Sequence, residues 1–174
     1  MNDSAAQDDV IAFLSEPGSY GLNVPSIERH ETHGAIVFLA GERAYKLKRA
    51  EKFPYMDYST IERRRQMCMR EFEINRRMAP KLYLDVRPVV RGGASLRFGH
   101  ADETSNAMDW VLVMRRFDQS ALLETLRRAG GLTTSLMRLV AEALARVHAG
   151  GDVTRDYGGE AGIRDVIPNH VALI

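Results

Sequence analysis

The dipeptide Gly41-Glu42 constrains the fold of this chain more than any other feature. It separates two short runs of strand formers, Ala35–Ala40 and Arg43–Lys48. A Gly-X loop between such runs has the composition of a type II′ hairpin, with positive φ at its first central residue. So short a loop also sets the register. Ala40 falls opposite Arg43, Leu39 opposite Ala44 and Val37 opposite Lys46. Because strand side chains alternate, Val37, Leu39, Ala44 and Lys46 share one face, with Lys48 further along it. Ile36, Phe38, Tyr45 and Leu47 take the other face, the core side of a sheet covered by helices.

The flanking pattern supplies the partners. Ala6–Leu14 predicts a short amphipathic helix ended by Glu16-Pro17-Gly18-Ser19, and Ile27–His30 predicts a strand. Ser59 or Thr60 can cap a helix running to Met78, and Ser59 with Glu62 has capping-box spacing. Within that helix Met67, Ile74 and Met78 form an apolar stripe whose remaining position is Glu71, so a carboxylate is expected to face the core. Strands are predicted at Tyr83–Val90 and Ser95–Phe98, around Gly92-Gly93, and at Asp109–Phe117, where Trp110 reads as core. Helices follow at Ser120–Ala129 and Thr133–Ala149, separated by Gly130-Gly131.

Composition excludes several classes of function. The formal net charge of +1, with 27% charged residues, supplies no global pull toward nucleic acid or anionic lipid. A single cysteine, Cys68, rules out an internal disulfide and a cysteine metal cluster. The opening MNDSAAQDDV is acidic and polar, and no run reaches the roughly 18 apolar residues of a membrane span. A cytoplasmic protein with no membrane partner is the expectation.

Lys46 and Lys48 read either as solvated edge charges or as partners of Glu71, because a charge on an apolar helix face is costly unless paired. Arg63, Arg64, Arg65, Arg70, Arg76 and Arg77 are spread around the same helix among glutamates. They read as a solvated surface, and nucleic acid is not an expected partner. His30 and His33 lack further ligands that would complete a metal site, and His148 reads as a cation favoured at a helix C-terminus. The turn containing Thr32 and Gly34, between the first two strands, lies where backbone N–H groups could meet phosphate oxygens.

Taken in order, these strings resemble the aminoglycoside phosphotransferase-like, kinase-fold enzymes, most closely the bacterial proteins that join such a domain to a P-loop ATPase domain. The resemblance rests on Glu31-Thr32-His33, Val37-Phe38-Leu39-Ala40-Gly41, Ala44-Tyr45-Lys46-Leu47-Lys48, Phe53 to Thr60, Glu71 to Pro80, and Val113-Met114-Arg115-Arg116-Phe117. It implies an α+β fold: a kinase-like N-terminal lobe and hinge over residues 1–117, with an antiparallel sheet and one packed helix. The start of a helical C-terminal lobe would follow over 118–174. It implies ATP as ligand, with Lys46 reaching the α- and β-phosphates and Lys48 as the register alternative. Glu71 would orient that lysine, Val37 and Ala44 would contact adenine, and the backbone of Met114, Arg115 and Arg116 would hold the adenine edge.

The departure is downstream. Phosphoryl transfer in this fold uses a catalytic-loop aspartate, an asparagine for a metal and a second metal-binding aspartate. Asp152, Asp156 and Asp165 begin no such pattern, and Asp165 with Asn169 has the wrong spacing. No catalytic or metal residue is therefore assigned, although Mg would accompany ATP in a complete family member. The apolar ending Val171–Ile174 is expected to continue into a core, which makes the chain a fragment with an unknown small-molecule acceptor. The alternative is a catalytically silent kinase-fold module that binds or regulates a partner.

Overall fold

A computed structural model describes residues 3–164 apart from Leu22, Thr154, Asp156, Tyr157 and Ala161. The sequence features at Asp156, Asp165, Asn169 and Val171–Ile174 lie outside the described residues. Those that are described fall into two compact units, divided between Phe117 and Asp118.

The first unit is mixed α+β. Strands β1 (Glu28–Glu31), β2 (Ala35–Ala40), β3 (Arg43–Lys48), β6 (Tyr83–Gly92), β7 (Ser95–Phe98) and β8 (Ala107–Arg115) form one sheet in the order β1-β2-β3-β8-β6-β7. All of its neighbouring strands are antiparallel. A small hairpin, β4 (Lys52–Phe53) with β5 (Met56–Asp57), stands apart from it. The Gly41-Glu42 loop holds the expected register, with Val37 opposite Lys46 and Leu39 opposite Ala44. Gly41 has φ 57°, a conformation that costs glycine nothing.

Helices cover both faces, where a single packed helix was expected. Helix α1 (Asp3–Ser15) buries Val10 and Leu14 against Ile36, Phe38, Tyr45, Leu47, Val89, Val111 and Val113. Helix α2 (Ile61–Met78) lies on the opposite face, where Cys68 packs with Val86, Trp110 and Leu112, and Ile61 and Phe72 join them. The N-terminal helix was legible as an element. Its apolar side, however, belongs to the very face that the hairpin pattern assigned to the core.

Of the two N-cap candidates, Thr60 caps α2, accepting from Arg63 N, while the Ser59 hydroxyl is turned onto Asp57 at 2.6 Å. Two local expectations are corrected. The strand expected at Asp109–Phe117 is shifted to Ala107–Arg115, leaving Phe117 exposed. The α2 stripe is also turned: Ile74 and Met78 are exposed, and the inward positions are Arg64, Cys68, Glu71 and Phe72. Two polar anchors set this face, since Arg64 and Glu71 each reach a fixed partner on the sheet.

In the second unit, a 3-10 turn at Gln119–Ala121 and helix α3 (Leu123–Arg128) replace the continuous helix expected from Ser120. Asp118 caps the turn through Ser120 N, and Leu122 is extended, which interrupts the helical hydrogen bonding. Helix α4 (Thr134–Ala149) is capped by Thr133 and carries Arg146 and His148 in its last turn, where cations complement the helix dipole. Among the described residues no helix is long and apolar enough to cross a membrane.

Candidate functional site

Strand β3 and helix α2 bring three charged side chains together. Lys46 Nζ donates to Glu71 Oε1 and Lys48 Nζ donates to Glu71 Oε2, both at 2.7 Å. The alternation along β3 puts both lysines on the α2 face, and Glu71 lies two helical turns beyond Arg64 on the side of α2 that meets the sheet. Each carboxylate oxygen thus has its own ammonium. The reading of Lys46 and Lys48 as solvated edge charges gives way to the paired one.

The two lysines differ in access. The Lys48 side chain is 5% exposed and its Nζ lies 4.9 Å from the centre of the Tyr58 ring, whereas Lys46 is 29% exposed. An ammonium has three donors, so Lys46 keeps capacity beyond Glu71 on the more open side. Burial pushes the Glu71 carboxyl up, but the hydrogen bonds and charges of the lysines outweigh it and hold it below the ordinary carboxylate value. Burial likewise opposes the Lys48 charge, and Glu71 again prevails, holding the ammonium above its ordinary value. Chemically, the cluster offers fixed positive charge. A carboxylate held below its ordinary value is a weak general base, and Lys48, held above its ordinary value, is no nucleophile near neutral pH.

The other positions implied by the resemblance are arranged around this cluster. Val37 and Ala44 lie on the same face as Lys46, and Ala44 stands beside Met114 across the β3–β8 pairing. Arg115 N donates to Leu82 O and Arg116 N to Glu42 O, each at 2.8 Å, so these two N–H groups are already engaged. The Thr32 turn is closed on itself. Thr32 N donates to Ala35 O at 2.9 Å and Ala35 N donates to Thr32 Oγ1 at 3.1 Å. Gly34 lies against the Met56 thioether, where a Cβ would meet sulfur at 2.9 Å. His33 of the same turn packs edge-on to Phe53 and Tyr55 of the β4–β5 hairpin, and His30 bonds Glu28 at 2.8 Å.

Sequence reasoning missed the structure that holds the cluster in place. Arg64, assigned to a solvated surface with the other arginines, is 1% exposed and paired with Asp109 of β8. Gln7 of α1 completes the network. Its Nε2 donates to Asp109 Oδ2 at 2.6 Å and Lys48 O at 3.0 Å, and its Oε1 accepts from Ala50 N at 2.7 Å. Asp109 also accepts from Trp110 N, and Arg64 donates to Tyr58 O. The one available signal was an aspartate at the head of an apolar strand, which needs a buried partner.

No protein-family profile and no solved structure matches the chain. Its relatives include uncharacterized proteins of Mycobacterium bovis and of two Mycobacterium tuberculosis strains. Each is 36% identical over 140 residues, covering 79% of this chain and 26% of the relative. The chain therefore spans about a quarter of the length of these relatives.

Proposed function

We propose that residues 1–117 form the nucleotide-binding lobe of an aminoglycoside phosphotransferase-like kinase, with ATP as the ligand and a small molecule as the acceptor of the whole protein. The single observation that carries the reading is the Lys46–Glu71 contact between a sheet lysine and a helix carboxylate, the arrangement by which kinase-fold enzymes hold the phosphates of ATP. Lys46 would meet the phosphates and Glu71 would orient it. Val37, Ala44 and Met114 would line the base end. Phosphoryl transfer would draw on groups beyond this cluster, which itself supplies no strong acid or base.

The occupied N–H groups of Thr32, Ala35, Arg115 and Arg116 favour a second reading, a kinase-fold module that keeps the ion pair for rigidity and binds a partner instead. Calorimetric titration with a non-hydrolysable ATP analogue separates the two. The first reading expects saturable binding that weakens about tenfold or more in Lys46→Ala, as removal of a charge-assisted contact does. An affinity unchanged by that substitution would remove Lys46 from the site, and no binding at all would favour the silent module.

A further inference from the structure

A lysine–glutamate pair taken alone is electrically neutral, and an anion approaching it gains little from the sum of its charges. Here two ammonium groups share one carboxylate, so one positive charge is left uncompensated. The partition between the lysines is uneven. Lys48 lies under Tyr58, and Gln7 holds its carbonyl in place, so its ammonium is a built part of the interior. Lys46 is the one with open surface.

We propose that Lys48 is a positioning residue whose charge is spent on Glu71, so that Lys46 presents uncancelled positive charge to a polyphosphate ligand. This inference rests on the nucleotide-binding reading and deepens it: the cluster selects ligands by phosphate charge, through a buried lysine that never touches them. Burying an ammonium is costly even when it is paired, and an apolar side chain in its place is often no less stable. The cost is explained if the charge is needed for binding. Lys48→Met leaves Glu71 with Lys46, so no buried charge is orphaned, but the cluster becomes neutral. Lys48→Met combined with Glu71→Gln restores the single positive charge on Lys46.

The test measures ADP and adenosine binding to the 174-residue chain and these variants by calorimetry, with thermal unfolding of each protein alongside. Lys48→Met should weaken ADP about tenfold or more while leaving adenosine nearly unchanged, with the unfolding scan showing that the variant is folded at the temperature of titration. The double variant keeps an amide oxygen at position 71 for Lys46 to donate to and restores the net charge, so it should regain a measurable part of the ADP affinity lost in Lys48→Met. ADP binding unaffected by Lys48→Met would overturn the proposal. So would an equal loss for adenosine, which marks a structural role, or a failure of the double variant to recover. If the unsubstituted chain bound adenosine and ADP alike, or neither, the nucleotide-binding reading would fall first. That outcome is visible before any variant is made.

Discussion

Arg64 Nε donates to both carboxylate oxygens of Asp109, at 2.9 and 3.0 Å, and neither side chain is more than 1% exposed. This contact ties α2 to the central strand one residue before Trp110. It fixes the angular position of the helix, and so decides that Glu71 meets the lysines.

Removing one member of such a pair strands the other in the core. Arg64→Met should cost about 3–5 kcal/mol, measured by urea unfolding, and replacing both residues with apolar ones should recover part of it. A loss below about 1 kcal/mol for Arg64→Met would show that Asp109 finds another partner or water.

Gln7 is the only link described from α1 to the carbonyl of Lys48. Gln7→Ala should cost about 1–3 kcal/mol, because a buried partner of Lys48 O and a half-buried partner of Ala50 N are lost together. Hydrogen exchange at Ala50 should accelerate more than exchange across the β2–β3 hairpin. Uniform acceleration over the sheet would assign Gln7 a general packing role instead.

Acid and alkali should act on the same cluster from opposite sides. The Glu71 carboxyl is held below its ordinary value of 4.5, so its contribution is complete above that pH and is lost as pH falls through the lowered folded value. Lys48 is held above its ordinary value of 10.5, so its contribution is complete below that pH and is lost as pH rises through the raised folded value. Melting temperature against pH should therefore fall less steeply in acid for Glu71→Gln, and less steeply above pH 10.5 for Lys48→Met. Curves parallel to the unsubstituted chain in both regions would contradict the linkage.

Cys68 is fully buried on the sheet-facing side of α2, and burial pushes its thiol up to about 12. A thiol reagent near neutral pH should therefore label the folded protein only as fast as α2 leaves the sheet. Arg64→Met should speed labelling in proportion to its loss of stability. Labelling of the native chain at the rate of the urea-unfolded chain would place Cys68 outside the core.

The hairpin was readable because a two-residue turn and a period of two leave no freedom: once Gly41 is at the bend, the facing of Lys46 and Lys48 follows. Glu71 was readable as a charge in want of a partner. Arg64 was not, because within a run of three consecutive arginines nothing local marks the one that turns inward. Its partner lies 45 residues away, and Gln7 is 102 residues from Asp109, beyond the reach of any periodicity. The α2 stripe was misplaced for a related reason. Apolar side chains at Ile74 and Met78 outweighed, in the sequence, the three ion pairs that orient the helix in space.

Strand β8 is late in the first unit and yet lies between β3 and β6. Until the chain has been made as far as Arg115, the β1–β2–β3 meander and the β6–β7 hairpin have no shared edge to close on. Two hydrophobic half-sheets must therefore wait on the ribosome with open margins, and α1, the first helix made, has no aspartate for Gln7 to hold. Non-local closure of this kind is slow. Substitutions in Asp109–Val113 should thus harm the yield of folded chains more than the strength of the finished contacts would suggest.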